Sequence, residues 1–319
     1  ISRSYCCMDT CNIMKTIVLG PPGTGKTETL LREVEKYLKT TDPNRIGYFS
    51  FTQKAANEGR DRAMKKFNLT EDDLPYFRTL HSLAFRRLGL KKENVMQREH
   101  YAKVGKETGL RVDYNEWDDE HTGLFTTSSD YLRIIQLAKL KDITLEQQYN
   151  LKEHTQDVSV QKLKNLSSEL ESYKKAHGLI DFNDMILDFI KSDASPEFDV
   201  VFIDEAHQFL NKHVGDEGSR FSLDAFGNIA KEGRKYGLNV VIATQRPRDV
   251  PEDVLSQIGT LIVHRLTNEK DQEVVKKAVG SIDQRSASFL PVLGQGEALL
   301  LGVDFPFPMT VRIKAPDNK

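Results

Sequence analysis

Eight residues, Gly20-Pro21-Pro22-Gly23-Thr24-Gly25-Lys26-Thr27, restrict the possible folds more than any other stretch of the chain. They follow an apolar run, Thr16-Ile17-Val18-Leu19, and precede a helical pattern, Thr29-Leu30-Leu31-Arg32-Glu33-Val34. Strand, glycine loop and helix in that order form the setting a phosphate-binding loop requires. Glycines let the backbone curl until successive N–H groups point at phosphate oxygens. The helix N-terminus adds the positive end of its dipole. Residues Gly20 to Glu28 are therefore the expected nucleotide-binding segment, for ATP. Lys26 is placed to reach the β- and γ-phosphates, and the Thr27 hydroxyl to take a Mg²⁺ position.

The 319 residues suffice for two domains, or for one large α/β unit with an insertion. A net charge of −2 gives no global attraction to nucleic acid, and no apolar stretch approaches a membrane span. Cys6, Cys7 and Cys11 all precede Met14, which excludes a disulfide framework for the body. Residues 1–13 read as a disordered, non-native leader, with Met14 as the start.

A second strand is expected over Ile46–Phe51, opening a helix at Thr52-Gln53-Lys54-Ala55-Ala56. A third, short strand leads into Thr79-Leu80-His81-Ser82. With the glycine loop, these segments resemble the first, Ia and Ib motifs of UvrD-like superfamily 1 DNA helicases. In that family, Ia and Ib lie at strand C-terminal ends and hold single-stranded DNA. The resemblance implies Thr52, Lys54, Thr79 and His81 as DNA contacts. An ordinary surface lysine and a satisfied histidine are the alternatives for Lys54 and His81. Residues 53–111 carry 14 Lys and Arg against 8 Asp and Glu, a local basic bias that favours phosphate contacts. Phe51, Tyr76, Phe77 and Phe85 are candidates for base stacking or for core.

Residues 112–158 turn acidic around Trp117, which either packs or stacks on a base. Together with the helix around Leu163 they read as an inserted helical subdomain, which UvrD-like proteins also carry after Ib. Asp181-Phe182-Asn183-Asp184 resembles that family's Asp-Phe-rich segment, or simply starts an amphipathic helix with Asp as its N-cap. Val200-Val201-Phe202-Ile203-Asp204-Glu205 is an apolar run ending in two carboxylates, the pattern of a buried parallel strand emerging at a nucleotide. Asp204 is the expected Mg²⁺ partner, and Glu205 the group that polarises the attacking water.

Beyond this point the resemblance changes. Asp204-Glu205-Ala206-His207-Gln208 departs from the usual Asp-Glu-Ala-Gln-Asp, and the later UvrD-like motifs are missing. Residues 199–315, with Val240-Val241-Ile242-Ala243, Thr244-Gln245-Arg246-Pro247, Leu261-Ile262-Val263-His264 and Gly296-Glu297-Ala298-Leu299, are similar to the C-terminal half of HerA-type DNA translocases. The simplest account is a chimera, natural or made, joined in register at the carboxylate strand that both families possess. Gln245 then stands as a sensor of the γ-phosphate or water, or as a plain strand-end turn. Arg234 or Arg246 stands as an arginine supplied in trans within a homo-oligomer, or as a surface arginine.

The expected fold is a P-loop NTPase (RecA-like) three-layer α/β sandwich, mostly parallel. Its core comprises residues 14–90 and 180–316, with 91–179 as the inserted helical subdomain. The last two strands, about 296–302 and 309–314, are expected to pair antiparallel. The functional expectation is an ATP-dependent DNA helicase or translocase using Mg²⁺, in the cytoplasm of a prokaryotic or phage-infected cell, without membrane contact. The alternative is a nucleotide-binding module without motor activity, since neither family's partner domain is present in this sequence.

Overall fold

The computed structural model describes residues 15–112, 127, 129–141, 143–152, 154, 158–192, 194–206, 238–250, 252–256, 258–279, 282, 284–302, 305 and 307–313. The expectations for residues 1–13, Trp117, His207 and Arg234 lie outside this set.

Its strands are β1 (Lys15–Leu19), β2 (Ile46–Phe49), β3 (Phe77–Arg78), β4 (Val200–Ile203), β5 (Asn239–Thr244), β6 (Thr260–His264), β7 (Glu297–Gly302) and β8 (Met309–Arg312). They form one sheet in the order β3-β2-β4-β5-β1-β6-β7-β8. The first six in that order run parallel, so their C-terminal ends share one edge. β7 and β8 pair antiparallel, as their short connection requires. The strand expected over 46–51 stops at Phe49, because Thr52 leaves the sheet to cap the next helix.

β1 lies between β5 and β6. Ile17 stands opposite Ile242 on one side and Leu261 on the other. The strand that carries the glycine loop is therefore held on both edges by strands of the HerA-like stretch. The two stretches share one sheet, not two units laid side by side.

Alternation along these strands builds two cores. Ile17, Leu19, Ile203 and Ile242 face helices α9 (Glu252–Leu255), α10 (Glu269–Val279) and α11 (Gln284–Phe289), where Val254, Val275 and Ala287 lie buried. Val18, Phe202, Val241 and Tyr48 face α1 (Lys26–Leu38) and α2 (Gln53–Phe67), meeting Leu30, Leu31, Val34 and Ala63. That gives helix, sheet and helix, the three-layer α/β arrangement. Phe77, a candidate for base stacking, belongs instead to this second core. It is 1% exposed and stacks on Tyr48 with ring centroids 4.9 Å apart.

The remaining helices are α3 (Leu80–Arg87), α4 (Arg98–Glu107), α5 (Asp130–Leu140), α6 (Leu145–Asn150), α7 (Val160–His177) and α8 (Phe182–Lys191). Tyr101, Val104, Leu132, Ile135, Leu163, Leu166 and Leu170 make a third apolar cluster of α4, α5 and α7, apart from the sheet. Asp181 is the N-cap of α8 and accepts a hydrogen bond from Asp184 N at 2.8 Å.

A buried ionic knot ties this helical cluster to α8. Lys174 Nζ donates to Asp181 Oδ2 at 3.0 Å and also to Asp184, and it lies 2.8 Å from Glu171. Lys139 Nζ reaches Glu171 at 2.6 Å and Asp184 at 2.9 Å. Burial alone lowers the Lys174 pKa, but the surrounding carboxylates reverse that and raise it well above the ordinary lysine value. Removing one partner from such a knot strands the others without compensation. Lys174→Ala should therefore cost about 3 kcal/mol. The check is urea unfolding followed by near-UV circular dichroism.

Candidate nucleotide and nucleic-acid site

The C-terminal edge of the parallel strands gathers the expected residues. Gly20 closes β1 and donates its N–H to Thr244 O at 3.2 Å. The loop then turns through Gly23 (φ 76°) and Gly25 (φ 98°), both in left-handed backbone that side chains disfavour. Gly25 is the N-cap of α1. Within the loop, Pro21 O accepts from Thr24 Oγ1 at 2.8 Å and from Lys26 Nζ at 3.0 Å. The amine of Lys26 is thus folded back over the loop, where burial lowers its pKa while the charges of Glu205 and Asp204 oppose the shift. Thr27 is half-buried in the first turn of α1. The Glu28 carboxylate turns away to Lys66 at 2.6 Å and Arg32 at 3.3 Å, which leaves its backbone N–H as its contribution at the loop.

The two carboxylates follow β4, two strands from β1 across β5. Asp204 is 5% exposed, and burial pushes its carboxyl pKa up. Its Oδ2 accepts from Tyr48 Oη at 2.8 Å, and its Oδ1 from the N–H of Glu205 at 3.0 Å. Glu205 has φ 54°, a left-handed backbone rare for a residue with a side chain. Its Oε1 accepts from Gln245 Nε2 at 2.6 Å. Lys26, Asp204, Glu205 and Gln245 thus come together although their strands belong to different stretches of sequence. Arg246, next in the chain, is exposed at the same edge, with its guanidinium 3.9 Å from Asp249.

The donor set suits a nucleotide with Mg²⁺. Mg²⁺ is ordinarily held by one or two protein oxygens together with substrate phosphates, not by a protein cage. Among the described residues no group of three or more His, Cys, Asp and Glu could hold a metal. Asp204 and Thr27 offer one carboxylate and one hydroxyl beside a loop of free-turning glycines.

The other candidates line the same edge further along the sheet. Thr52 caps α2, its Oγ1 accepting from Ala55 N at 3.2 Å, and Lys54 is exposed in that helix's first turn. Thr79 caps α3, its Oγ1 accepting from Ser82 N at 3.1 Å. The His81 ring meets Phe182 edge-on at 5.6 Å, and burial pushes its pKa down to about 4, so it is neutral at pH 7.

Two side chains here carried no role in the sequence reading. Tyr48 is wholly buried, yet its hydroxyl reaches Asp204. His264 ends β6 behind the glycine loop with 0% exposure. Its Nδ1 donates to Glu297 O at 3.0 Å, and its Nε2 lies 3.3 Å from Thr29 Oγ1. A Cβ on Gly20 would meet the His264 Cβ at 2.7 Å, so glycine is required there by packing. A polar residue closing the apolar run Leu261-Ile262-Val263 was the available signal for His264.

A model of the UvrD/REP helicase N-terminal domain matches residues 10–213, and a model of the HerA-like helicase C-terminal region matches residues 191–311. This chain belongs to the UvrD/REP helicase family. The two matches overlap over residues 191–213, a span that includes the carboxylate strand. A probable helicase of Methanocaldococcus jannaschii is 28% identical over 202 residues, 62% of this chain and 34% of that protein. The DNA double-strand break repair helicase HerA of Pyrococcus furiosus is 37% identical over 114 residues, 36% of this chain and 20% of that protein. HerA of Saccharolobus solfataricus is 26% identical over 254 residues, 79% of this chain and 46% of that protein. This UvrD/REP family member therefore spans less than half the length of each of these relatives. Among solved structures, VirB4 of Thermoanaerobacter pseudethanolicus aligns with a TM-score of 0.45 at 13% identity, covering 95% of this chain and 90% of that one.

Proposed function

We propose that this chain is the ATP-hydrolysing core of a DNA helicase or translocase. The observation that carries the proposal is the meeting of Lys26, Asp204 and Glu205 at one sheet edge, with Gln245 donating to Glu205 at 2.6 Å. The backbone N–H groups of residues 23–28 bind the triphosphate, and Lys26 neutralises its terminal oxygens. Thr27 and Asp204 would hold Mg²⁺, whose charge offsets that developing on the phosphates. Tyr48 fixes the Asp204 carboxylate through its Oδ2, leaving the second oxygen to the turn and the metal side. Glu205 accepts a proton from water in line with the γ-phosphate, and Gln245 orients that carboxylate.

Arg234 or Arg246 from a neighbouring copy completes the charge balance in a homo-oligomer. Thr52, Lys54, Thr79 and His81 contact single-stranded DNA along the same edge, so nucleotide state and strand grip act on adjacent turns. Residues 14–90 and 180–316 form the motor core, and 91–179 a helical subdomain attached by the Lys174 knot. Among the described residues no helix is long and apolar enough to cross a membrane. The cytoplasm of a prokaryotic or phage-infected cell is the proposed setting.

The deciding experiment is phosphate release from ATP and Mg²⁺, with and without single-stranded DNA, over a range of protein concentrations. Turnover should rise with DNA and more than linearly with protein. Turnover indifferent to DNA at every concentration would overturn the motor reading.

A further inference from the structure

At the far end of the sheet, edge strand β3 closes on a buried guanidinium. Arg78 is 8% exposed, and its Nε is buried with no hydrogen-bond partner. Among the described residues, no carboxylate forms an ion pair with it. Burial, then Arg86 on α3 and Arg60 on α2, push the Arg78 pKa down to about 10, while the charge of Glu71 opposes them from a distance. Arg60 also has a buried Nε without a hydrogen-bond partner. The nearby carboxylates, Glu71 at 2.8 Å and Asp61 at 3.8 Å, both engage Arg60 and are more than half exposed.

A buried guanidinium without an ion-pair partner is expensive, and the like charges of Arg86 and Arg60 add to that cost. An anion relieves both costs at once. The planar fork of arginine matches the oxygens of a phosphate. The nucleotide itself cannot be that anion. β3 lies four strands from β1, about 19 Å at the usual strand spacing. Thr79 and His81, by contrast, follow Arg78 directly in the chain.

We propose that Arg78, flanked by Arg60 and Arg86, seats a backbone phosphate of the nucleic-acid strand that passes over Thr79 and His81. This rests on the DNA reading above for the source of the phosphate, though not for the anion seat itself.

The test compares wild type, Arg78→Met and Arg78→Lys, each with the glycine loop saturated by ADP. In phosphate-free buffer the melting temperature of Arg78→Met should equal or exceed that of wild type, because an unpaired buried charge has been removed. Binding of fluorescein-labelled oligo(dT), read by anisotropy across a KCl series, should weaken about fivefold at 0.1 M salt, with a salt slope shallower by about 0.7. Arg78→Lys should keep the wild-type slope while losing part of the affinity. Added inorganic phosphate should raise the melting temperature of wild type more than that of Arg78→Met. If wild type binds no oligo(dT) but shows this Arg78-dependent phosphate response, the anion seat stands and the strand assignment fails. If Arg78→Met matches wild type in both the salt slope and the phosphate response, the proposal is overturned. A fall in its melting temperature with both responses intact would overturn it too, marking Arg78 as a packing residue.

Discussion

Lys26→Ala should lower ATP turnover by about 10³-fold or more, since it removes a full charge from the phosphates where a single neutral donor is already worth 10²–10³. The loss should not come from unfolding. The Lys26 amine is half-committed in the apo protein, with one hydrogen bond to the Pro21 carbonyl and a pKa lowered by burial. Its apolar stem lies beside a core that does not depend on its charge. Thermal melts of wild type and Lys26→Ala should therefore nearly coincide without nucleotide and separate when ATP and Mg²⁺ are added. A variant that turns over ATP like wild type would show that the glycine loop is not the site of hydrolysis.

Glu205→Gln should leave nucleotide binding near wild type and reduce turnover 10²–10⁴-fold, the range for removing a positioned general base. The substitution preserves shape and replaces a carboxylate oxygen with an amide nitrogen. Gln245 can still donate to the remaining oxygen, so the turn at φ 54° should persist. Single-turnover phosphate release separates the two steps. Trapped ATP that dissociates unhydrolysed is the expected outcome, while unchanged release would move the base to another residue. Asp204 cannot easily take over, because both its oxygens accept hydrogen bonds in place.

Much of this was legible in the residues themselves. The glycine loop and the carboxylate strand are local patterns whose chemistry depends on a few consecutive side chains, and each sits where its neighbours in sequence put it. The Asp181 cap and the final antiparallel pair were readable for the same reason. What could not be read was the long-range pairing. Nothing in Lys15–Leu19 announces that its two neighbours are β5 and β6, because strand partners are chosen by packing over the whole sheet. Tyr48 looked like one more aromatic in an apolar strand. Only the β2–β4 register, which sets Tyr48 opposite Phe202, brings its hydroxyl to Asp204. His264 and Thr29 meet across 235 positions of chain, and the Lys174 knot forms only when α5, α7 and α8 converge.

The position of β1 governs how this molecule can be made. As the ribosome delivers the chain, the loop-bearing strand emerges ahead of β5 and β6 and has neither lateral neighbour until they have been synthesised. Until then its backbone donors and acceptors are bare on both sides, the state most open to pairing with another nascent chain. Closing so long a span is slow, because the entropy is lost before the contacts form. A polypeptide cut after Glu205 would contain the glycine loop and both carboxylates and still lack both walls of the strand that carries that loop.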